Sequence, residues 1–408
     1  MTTFNPITIS CFKAYDVRGE LDVNLDNAIA YRIGRAFAQY LNDGKENPVI
    51  VVGPDIRTRS AGLKQSAIDG ITDAGVDVID LGMVGTEEVY FTTSHYNAIG
   101  GVEVTASHNP INYNGLKMVR QNSRPISGNT GLADIRAIAE RGEFVVADKG
   151  KVSLNTDKTA YIDKLMSFTD TAKFTPKKIV VNSGNGSAGP VVDELQKRLG
   201  DKVELIKVHH APDGSFPNGI PNPMIIANQK ATSDAVIAHG ADFGVAFDGD
   251  FDRCFLFDEK GRFIEGTYIV GLLAEVFLKK HQGESIVYDP RVIYNTENVI
   301  AQNGGKPAIS KSGHSFIKQI MRETGAIYGG EMSAHHYFRD FAYCDSGMIV
   351  WLLVIELLSV TGKTLSELVN GYINDFPSSG ELNFRLGQKT ANEISEILEQ
   401  KYHALNPT

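Results

Sequence analysis

A repeated alternation of apolar strands and amphipathic helices restricts most strongly how this chain can fold. Apolar runs at 48–53, 178–182 and 285–288 each end in a polar turn marked by glycine or proline, and a helical pattern follows each turn. In the first repeat, Ser60 is the expected N-cap of the helix. Repeated strand–loop–helix units predict α/β architecture, with mixed, mainly parallel sheets and helices on both faces. Functional side chains in such sheets collect at the carboxyl ends of the strands.

The length of 408 residues allows several such units. A chain of this size holds about two to four domains. Changes in pattern near 155, 256 and 370 divide it into four predicted domains, at 1–155, 156–255, 256–370 and 371–408.

Charge and cysteine content exclude several classes of protein. The formal net charge of −9 and the lack of a basic stripe argue against nucleic-acid binding. Three widely spaced cysteines form neither a metal-binding pair nor a disulfide framework, so a reducing cytoplasm is the expected compartment. The first residues lack a signal-peptide pattern. The apolar run 348–358 is shorter than the roughly 20 residues of a membrane span, so we expect a buried core helix and no membrane partner. The sequence leaves the oligomeric state open.

Three carboxylates alternate in the run Asp-Gly-Asp-Phe-Asp-Arg, between two predicted strands. Asp248, Asp250 and Asp252 can converge on one hard cation, because carboxylate oxygens suit Mg²⁺ or Ca²⁺. An EF-hand would use Glu259 as a further ligand, but it requires glycine where Arg253 stands, and its flanks are helices. A solvated acidic turn is the plainer alternative, although three exposed like charges repel one another without a counter-ion.

A hydroxyl that could carry a phosphoryl group lies in a second polar turn. The run Thr-Ala-Ser-His-Asn-Pro places Ser107 and His108 after a predicted strand, and the next strand carries Lys117 back toward the turn. A serine beside a histidine also suits an acyl-transfer hydrolase, but Ser107 does not lie in a Gly-x-Ser-x-Gly elbow. A hydroxyl, a cation cage and the Arg253 guanidinium together favour phosphoryl transfer.

Four motifs in this order resemble those of the α-D-phosphohexomutase superfamily, and in particular the bacterial phosphomannomutases of GDP-mannose synthesis. They are Lys-Ala-Tyr-Asp-Val-Arg-Gly at 13–19, the Ser107 turn, the acidic turn, and Gly-Glu-Met-Ser-Ala-His-His-Tyr-Phe at 330–338. The resemblance extends from Phe12 to Pro377. It implies four domains around a central cleft, of which the first three share an α/β core.

The resemblance also implies a reaction, the interconversion of mannose 6-phosphate and mannose 1-phosphate. Ser107 would be a phosphoserine that, with the three aspartates, holds Mg²⁺. Its phosphoryl group would pass to the sugar phosphate, and the resulting hexose 1,6-bisphosphate would reorient and return the other phosphate. His108, Lys117 and Arg253 would act beside it, because cations offset the charge that repels an incoming anion. Lys117 is the expected proton shuttle, provided that neighbouring cations lower its pKa.

The same resemblance implies a set of substrate-binding residues. They are Tyr15, Arg18, Arg57, Arg291, His314, Glu331, Ser333 and His335. The last three would select the sugar by the positions of its hydroxyls. For His336 we prefer the plain interpretation of an ordinary core or surface histidine.

The fourth predicted domain departs from the family pattern. The family's C-terminal phosphate-binding loop, Arg-x-Ser-Asn-Thr-Glu-Pro, does not occur in the sequence. Only a predicted strand over 381–386 and an amphipathic helix from Glu393 remain, so we expect a partial fourth α+β domain. The missing clamp would supply charge-assisted hydrogen bonds to the distal phosphate, so we expect weakened turnover.

Two alternatives therefore stay open. One is a phosphoglucomutase or a phosphohexomutase of dual specificity, because no residue separates the epimers on physical grounds. The other is a non-catalytic protein that binds sugar phosphates. The complete Ser107 and acidic turns argue against a binder, which needs neither.

Overall fold

The first region of the chain forms a seven-stranded sheet. The computed structural model describes residues 2–42, 44, 46–380, 382 and 384–405. The elements of this region are β1 (Thr2–Thr3), β2 (Val17–Glu20), α1 (Asn27–Leu41), β3 (Val49–Pro54), α2 (Ser60–Asp73), β4 (Asp77–Asp80), α3 (Thr86–His95), β5 (Gly100–Val104), β6 (Tyr113–Arg120), β7 (Arg124–Pro125), α4 (Leu132–Arg141), β8 (Glu143–Phe144) and β9 (Val152–Leu154). The strand order is β2-β6-β5-β3-β4-β9 with β7 on β6, and β1 pairs with β8. The inner strand β3 is parallel to β4 and β5, whereas β6 runs antiparallel to β5.

The next two regions repeat this plan with smaller sheets. The second contains α5 (Thr159–Met166), β10 (Lys177–Asn182), α6 (Gly189–Leu199), β11 (Val203–Val208), α7 (Ile226–His239), β12 (Phe243–Phe247) and β13 (Cys254–Phe257). The third contains α8 (Gly266–Lys280), β14 (Ser285–Tyr288), α9 (Ile293–Gln302), β15 (Lys306–Ile309), α10 (His314–Thr324), β16 (Tyr328–Gly330), β17 (His336–Phe338), β18 (Cys344–Asp345), α11 (Gly347–Thr361) and α12 (Leu365–Asp375). Their strand orders are β11-β10-β12-β13 and β15-β14-β16-β17-β18. In both, three parallel strands continue into an antiparallel edge.

The inner strands are buried on both faces, which explains their uninterrupted apolar runs. In β3, Ile50 packs into one hydrophobic cluster and Val51 into another. In β10, Ile179 and Val180 likewise pack into two different clusters. Neighbouring residues of a strand point to opposite faces, so both faces of each sheet are covered. The predicted mixed, mainly parallel α/β sheets are confirmed.

The apolar run near the end of the third region is helix α11, and its residues from Gly347 to Ile355 are buried, including Trp351. The expected core helix is therefore present. Within the described part of the chain, no single helix has the length and apolarity to cross a membrane. Helices α11 and α12 meet that test only as a pair bent by 99°.

Two local expectations differ from the structure. Arg59, not Ser60, is the residue before α2, and the Ser60 hydroxyl donates a 2.5 Å hydrogen bond to Asp55 Oδ1 instead of capping the helix. The Ser60 hydroxyl thus bonds the buried Asp55 carboxylate and not a backbone N–H of α2. The boundary expected at residue 370 falls inside α12, and the first compact unit of the chain extends to Phe376.

The second compact unit comprises residues 377–408. It contains α13 (Ala391–Tyr402), which begins at a capping box of Thr390 and Glu393 and includes the predicted amphipathic helix. In the expected strand over 381–386, residues 381 and 383 lie outside the described residues, and the other four belong to no strand. The described part of this unit is therefore helical, not α+β.

Candidate active site

The turn between β12 and β13 buries the three aspartates among the predicted metal ligands. One oxygen from each of Asp248, Asp250 and Asp252 lies within 4.8 Å of the others. Asp250 Oδ1 and Asp252 Oδ1 are buried without a hydrogen-bond partner in the described residues. Burial and the Asp250 charge raise the pKa of Asp252 to about 6. Crowded, buried carboxylate oxygens with free lone pairs fit a hard divalent cation.

The Ser107 hydroxyl lies at the edge of this acidic turn. Its Oγ donates to Asp248 Oδ2 at 2.7 Å and lies 3.0 Å from His108 Nδ1. Arg253 Nη2 is 2.7 Å from Asp248 Oδ2 and donates to His108 Nδ1 at 2.5 Å. Burial, together with the Arg253 charge, lowers the pKa of His108 to about 2. The structure thus brings together the predicted hydroxyl, metal ligand, guanidinium and histidine.

Gly249 lets the backbones of the serine turn and the acidic turn approach each other closely. A Cβ at Gly249 would lie 2.5 Å from the Ser107 carbonyl oxygen, closer than real Cβ contacts. Gly85 has a similar place at the start of α3, where a Cβ would lie 2.5 Å from the Asp250 carbonyl oxygen. Only glycine permits such close backbone approaches without a shift.

The acidic turn also holds Lys117. Its Nζ is 2.6 Å from both Asp250 Oδ2 and Asp252 Oδ2. Burial lowers the pKa of Lys117, but the two carboxylates outweigh burial and hold this pKa well above the usual value. The condition for Lys117 as a proton shuttle, a pKa lowered by neighbouring cations, is not met, because the carboxylates around its Nζ outweigh the Arg18 charge.

A buried polar group behind Lys117 was not predicted. Glu103 on β5 pairs in register with Lys117, and its carboxylate accepts a short hydrogen bond from the Thr86 hydroxyl. Thr86 also donates to Asp250 Oδ2 at 2.9 Å. Burial and the Asp250 charge raise the pKa of Glu103 well above its usual value. The sequence did contain a signal for this group, because Glu103 is a charged residue within the otherwise apolar strand β5.

Arg57 supports the Ser107 turn rather than facing a substrate. Its guanidinium donates to the backbone carbonyls of Ser107, Asn109, Pro110 and Tyr113, at 2.6 to 3.3 Å. The residue is only 3% exposed. Because four carbonyls occupy its terminal nitrogens, the expected substrate-binding role of Arg57 is corrected to that of a loop support.

The first region contributes two more predicted residues. Arg18 pairs with Asp16 at 2.8 Å and donates to Asn109 Oδ1 in the Ser107 turn at 3.1 Å. The Tyr15 ring lies edge-on to the His314 ring, with 5.9 Å between their centroids. Tyr15 therefore meets the third region, which supplies His314 at the start of α10.

The third predicted loop reaches the acidic turn directly. Arg253 and His335 form an antiparallel backbone bridge, and His335 Nδ1 is 3.9 Å from Asp252 Oδ1. Glu331 is 2% exposed and accepts from Gly313 N at 2.7 Å and from the Tyr337 hydroxyl at 2.5 Å.

The sequence also led to expectations for three further residues of the third region. Ser333 is half-buried. Arg291 pairs with Asp289 and lies 3.9 Å from Glu331 Oε1. His336 is a buried core residue as expected, and the Tyr328 hydroxyl is 2.7 Å from its Nδ1.

Family models match all three sheet-bearing regions in order. A model described as phosphoglucomutase/phosphomannomutase, alpha/beta/alpha domain I, matches residues 10–146. The corresponding models for domains II and III match residues 159–261 and 265–376.

Similar proteins extend this match over nearly the whole chain. The phosphomannomutase of Salmonella montevideo is 57% identical over 389 residues, covering 94% of this chain and 84% of that protein. The phosphomannomutase of Escherichia coli K12 is 54% identical over 98% of this chain and 89% of its own length. A solved phosphoglucomutase/phosphomannomutase family protein from Burkholderia thailandensis superposes with a TM-score of 0.81 at 32% identity, over 91% of this chain and 80% of that one. The predicted superfamily is confirmed: this chain belongs to the phosphoglucomutase/phosphomannomutase family and is a phosphohexomutase enzyme.

Proposed function

We propose that this chain interconverts mannose 6-phosphate and mannose 1-phosphate and so supplies GDP-mannose synthesis in the cytoplasm. One observation carries the proposal. The Ser107 hydroxyl, 2.7 Å from Asp248, shares one buried site with three converging carboxylates and the Arg253 guanidinium. A hydrolase would need a base to activate the serine. The nearest candidate, His108 Nδ1, accepts a hydrogen bond from Arg253, so its lone pair is occupied, and the groups around Ser107 suit a phosphate charge instead. The names of the similar proteins support mannose as the sugar.

The acidic turn is the proposed Mg²⁺ site. Asp248, Asp250 and Asp252, with a phosphate on Ser107, would hold the ion. Bound Mg²⁺ would neutralise charge on the phosphoryl group during transfer. Lys117 and Arg253 supply two positive charges against three carboxylates, so a divalent ion and a phosphate can be added without a large charge imbalance.

The remaining residues divide between phosphoryl transfer and sugar recognition. Ser107 carries the phosphoryl group. Arg253 and Lys117 supply positive charge beside it, and His108 is neutral. Because Lys117 is paired with two carboxylates, we propose that it acts through its charge. Tyr15, Arg18, Arg291, His314, Glu331, Ser333 and His335 are the proposed sugar-phosphate contacts. A hexose 1,6-bisphosphate would be both activator and intermediate.

The decisive experiment is ³¹P NMR of the purified chain with mannose 1-phosphate, Mg²⁺ and a catalytic amount of glucose 1,6-bisphosphate. We expect mannose 6-phosphate to appear, and to fail to appear with Ser107→Ala or after EDTA. Ser167→Ala, an exposed serine outside the site, is the matched control. Mass spectrometry of the same samples should find a phosphate on Ser107. A folded chain that gains no phosphate on Ser107 and converts no sugar would contradict the proposal.

The same assay separates the two alternatives. Faster conversion of glucose 1-phosphate than of mannose 1-phosphate would indicate a phosphoglucomutase, and similar rates would indicate dual specificity. Binding of the sugar phosphates without conversion would identify a non-catalytic binding protein.

A further inference from the structure

A fully buried ion pair lies behind the third site loop. Lys318 on α10 is 0% exposed and Asp345 on β18 is 1% exposed. Their Nζ and Oδ1 atoms are 2.6 Å apart. Lysine and aspartate are almost never completely buried unless they are paired, and a buried pair often gives little net stability. The position of this pair therefore calls for an explanation other than stability.

The second oxygen of Asp345 holds a proposed sugar-binding residue. Asp345 Oδ2 lies 2.8 Å from His335 Nδ1. A carboxylate can only accept, so Nδ1 carries the hydrogen and, in the neutral ring, Nε2 carries the lone pair. Nε2 has no hydrogen-bond partner among the described residues, and 18% of the side chain is exposed. Asp345 therefore determines which ring nitrogen can accept a hydrogen bond from outside.

Besides Asp345, Lys318 contacts two aromatic rings near the site. Its Nζ lies 3.9 Å from the centre of the Tyr90 ring on α3, in the first region. It also lies 5.9 Å from the centre of the Tyr337 ring. The Tyr337 hydroxyl donates to Glu331 Oε2. One buried lysine thus contacts groups that hold both His335 and Glu331, and it anchors them to the first region.

We propose that Lys318 and Asp345 are positioning residues for the sugar-reading loop. Asp345 fixes the tautomer and ring orientation of His335, so that Nε2 accepts a hydrogen bond from a sugar hydroxyl. Lys318 fixes Asp345, with Tyr90 and Tyr337 as its aromatic supports. Neither residue touches the substrate. This inference rests on the proposed function, because it assigns His335 a sugar contact.

The test exploits the fact that an ammonium group cannot accept a hydrogen bond. In Asp345→Asn, Lys318 would claim the amide oxygen and turn the NH₂ group toward His335. Nδ1 would then have to accept, and the hydrogen would move to Nε2. Adding Lys318→Met would free the amide to turn its oxygen back to Nδ1. The double variant should therefore recover the wild-type tautomer, which a purely structural role does not predict.

Kinetics and NMR read out this switch separately. We expect Asp345→Asn to lower kcat/KM for mannose 1-phosphate about 10- to 100-fold, because His335 loses its hydrogen bond with the sugar, and the double variant to regain about tenfold in kcat/KM. Glu284→Gln, in a half-exposed ion pair with Arg339 of the third region, is the control and should keep wild-type kcat/KM. Burial lowers the pKa of His335, but Asp252 and Asp345 outweigh burial and raise this pKa, so the ¹⁵N-histidine spectra are recorded at a pH where the His335 ring is neutral. With the His335 signal assigned by His335→Gln, they should show hydrogen at Nδ1 in the wild type and at Nε2 in Asp345→Asn.

Two results would overturn the inference. One is a His335 spectrum that is unchanged in Asp345→Asn, and the other is a double variant no more active than the single one. The NMR measurement needs no turnover. If the wild type converts no sugar phosphate, the proposed function fails, while the tautomer result still decides whether Asp345 and Lys318 position His335.

Discussion

At the scale of single residues, the site depends on backbone conformations that side chains seldom adopt. Ser107, Phe251 and Ala334 have φ values of 47°, 48° and 66°, and each lies in one of the three loops that meet at the site. Residues with a side chain are uncommon in this left-handed region, where they cost roughly 1 kcal/mol or more. The surrounding contacts hold them there. In the serine turn those contacts include the Arg57 hydrogen bonds and the close approach of Gly249.

Gly249→Ala should separate the serine and acidic turns. The new Cβ would lie 2.5 Å from the Ser107 carbonyl oxygen, so the backbone must move. A displacement of about 1 Å can cost about 100-fold in rate. We expect phosphorylation of Ser107 and turnover to fall together by at least tenfold on this scale. Gly371→Ala, where nothing lies within 4 Å, is the control. Wild-type turnover of Gly249→Ala would show that the turns tolerate the shift.

Arg57→Ala distinguishes a loop support from a substrate ligand. Loss of four hydrogen bonds to the serine turn should lower kcat by about 100-fold, because the turn loses its position. The KM for mannose 1-phosphate should change little, since backbone carbonyls already occupy the terminal nitrogens of Arg57. Steady-state kinetics check this against Arg59→Ala, whose guanidinium pairs with the exposed Asp22. A rise in KM at constant kcat would restore the substrate-binding interpretation.

At the scale of elements, helix ends depend on local sequence more than on the rest of the molecule. The Ser346 side chain caps α11, and Thr364 with Glu367 forms a capping box at the start of α12. Both caps use hydroxyl acceptors for helix N–H groups that otherwise lack a partner. Ser60 is not the expected cap because its hydroxyl has another partner five residues earlier in the chain. Asp55, brought close by the end of β3, accepts its hydrogen.

Thr364→Ala removes the side-chain acceptor at the start of α12. We expect the free energy of unfolding to fall by about 1 kcal/mol, with kcat unchanged. Urea unfolding followed by circular dichroism measures the change. Thr324→Ala is a matched control, because the exposed Thr324 hydroxyl donates to the Ile320 carbonyl in the preceding turn of α10 and caps no helix. If the two substitutions lowered the free energy of unfolding equally, the capping box would not stabilise the protein.

At the scale of the whole first unit, the site is made where three regions meet. The serine turn belongs to the first region, the acidic turn follows β12 in the second, and the Glu331 loop follows β16 in the third. Cys254 N donates to the Ala334 carbonyl at 3.3 Å, beside the bridge between Arg253 and His335. A single hydrophobic cluster includes residues of all three regions, among them Tyr90, Phe251 and Trp351.

Glu87 predicts how pH affects this junction. It lies fully buried on α3 and accepts from Met348 N on α11 at 3.4 Å. Burial raises its pKa well above 4.5, so the folded state keeps a proton that the unfolded chain releases above about that pH. The folded state then binds more protons, and its stability falls as pH rises. Glu87→Gln should therefore raise the melting temperature at pH 7, with a difference that shrinks toward pH 4.

Glu140 supplies a control of opposite sign for the Glu87 prediction. Burial raises the pKa of Glu140, but the Ile9 N–H and Arg136 together outweigh burial and lower this pKa below 4.5. Its contribution to stability is present above that pH and is lost as pH falls. Glu140→Gln should lower the melting temperature at pH 7 and have less effect at pH 4. If both variants shifted the melting temperature in the same direction, the assigned proton linkage would be wrong.

The sequence by itself determined the repeated α/β plan, the core helix α11 and the two turns that carry Ser107 and Asp248. These features are local, because period, turn residues and alternating carboxylates can be recognised within about ten residues. Only the tertiary structure decided that Arg57 supports a loop, that Lys117 is surrounded by anions, and that Lys318 lies buried beside Asp345. Each of these depends on a partner distant in sequence, and a side chain's charge state and role follow from what the fold packs against it.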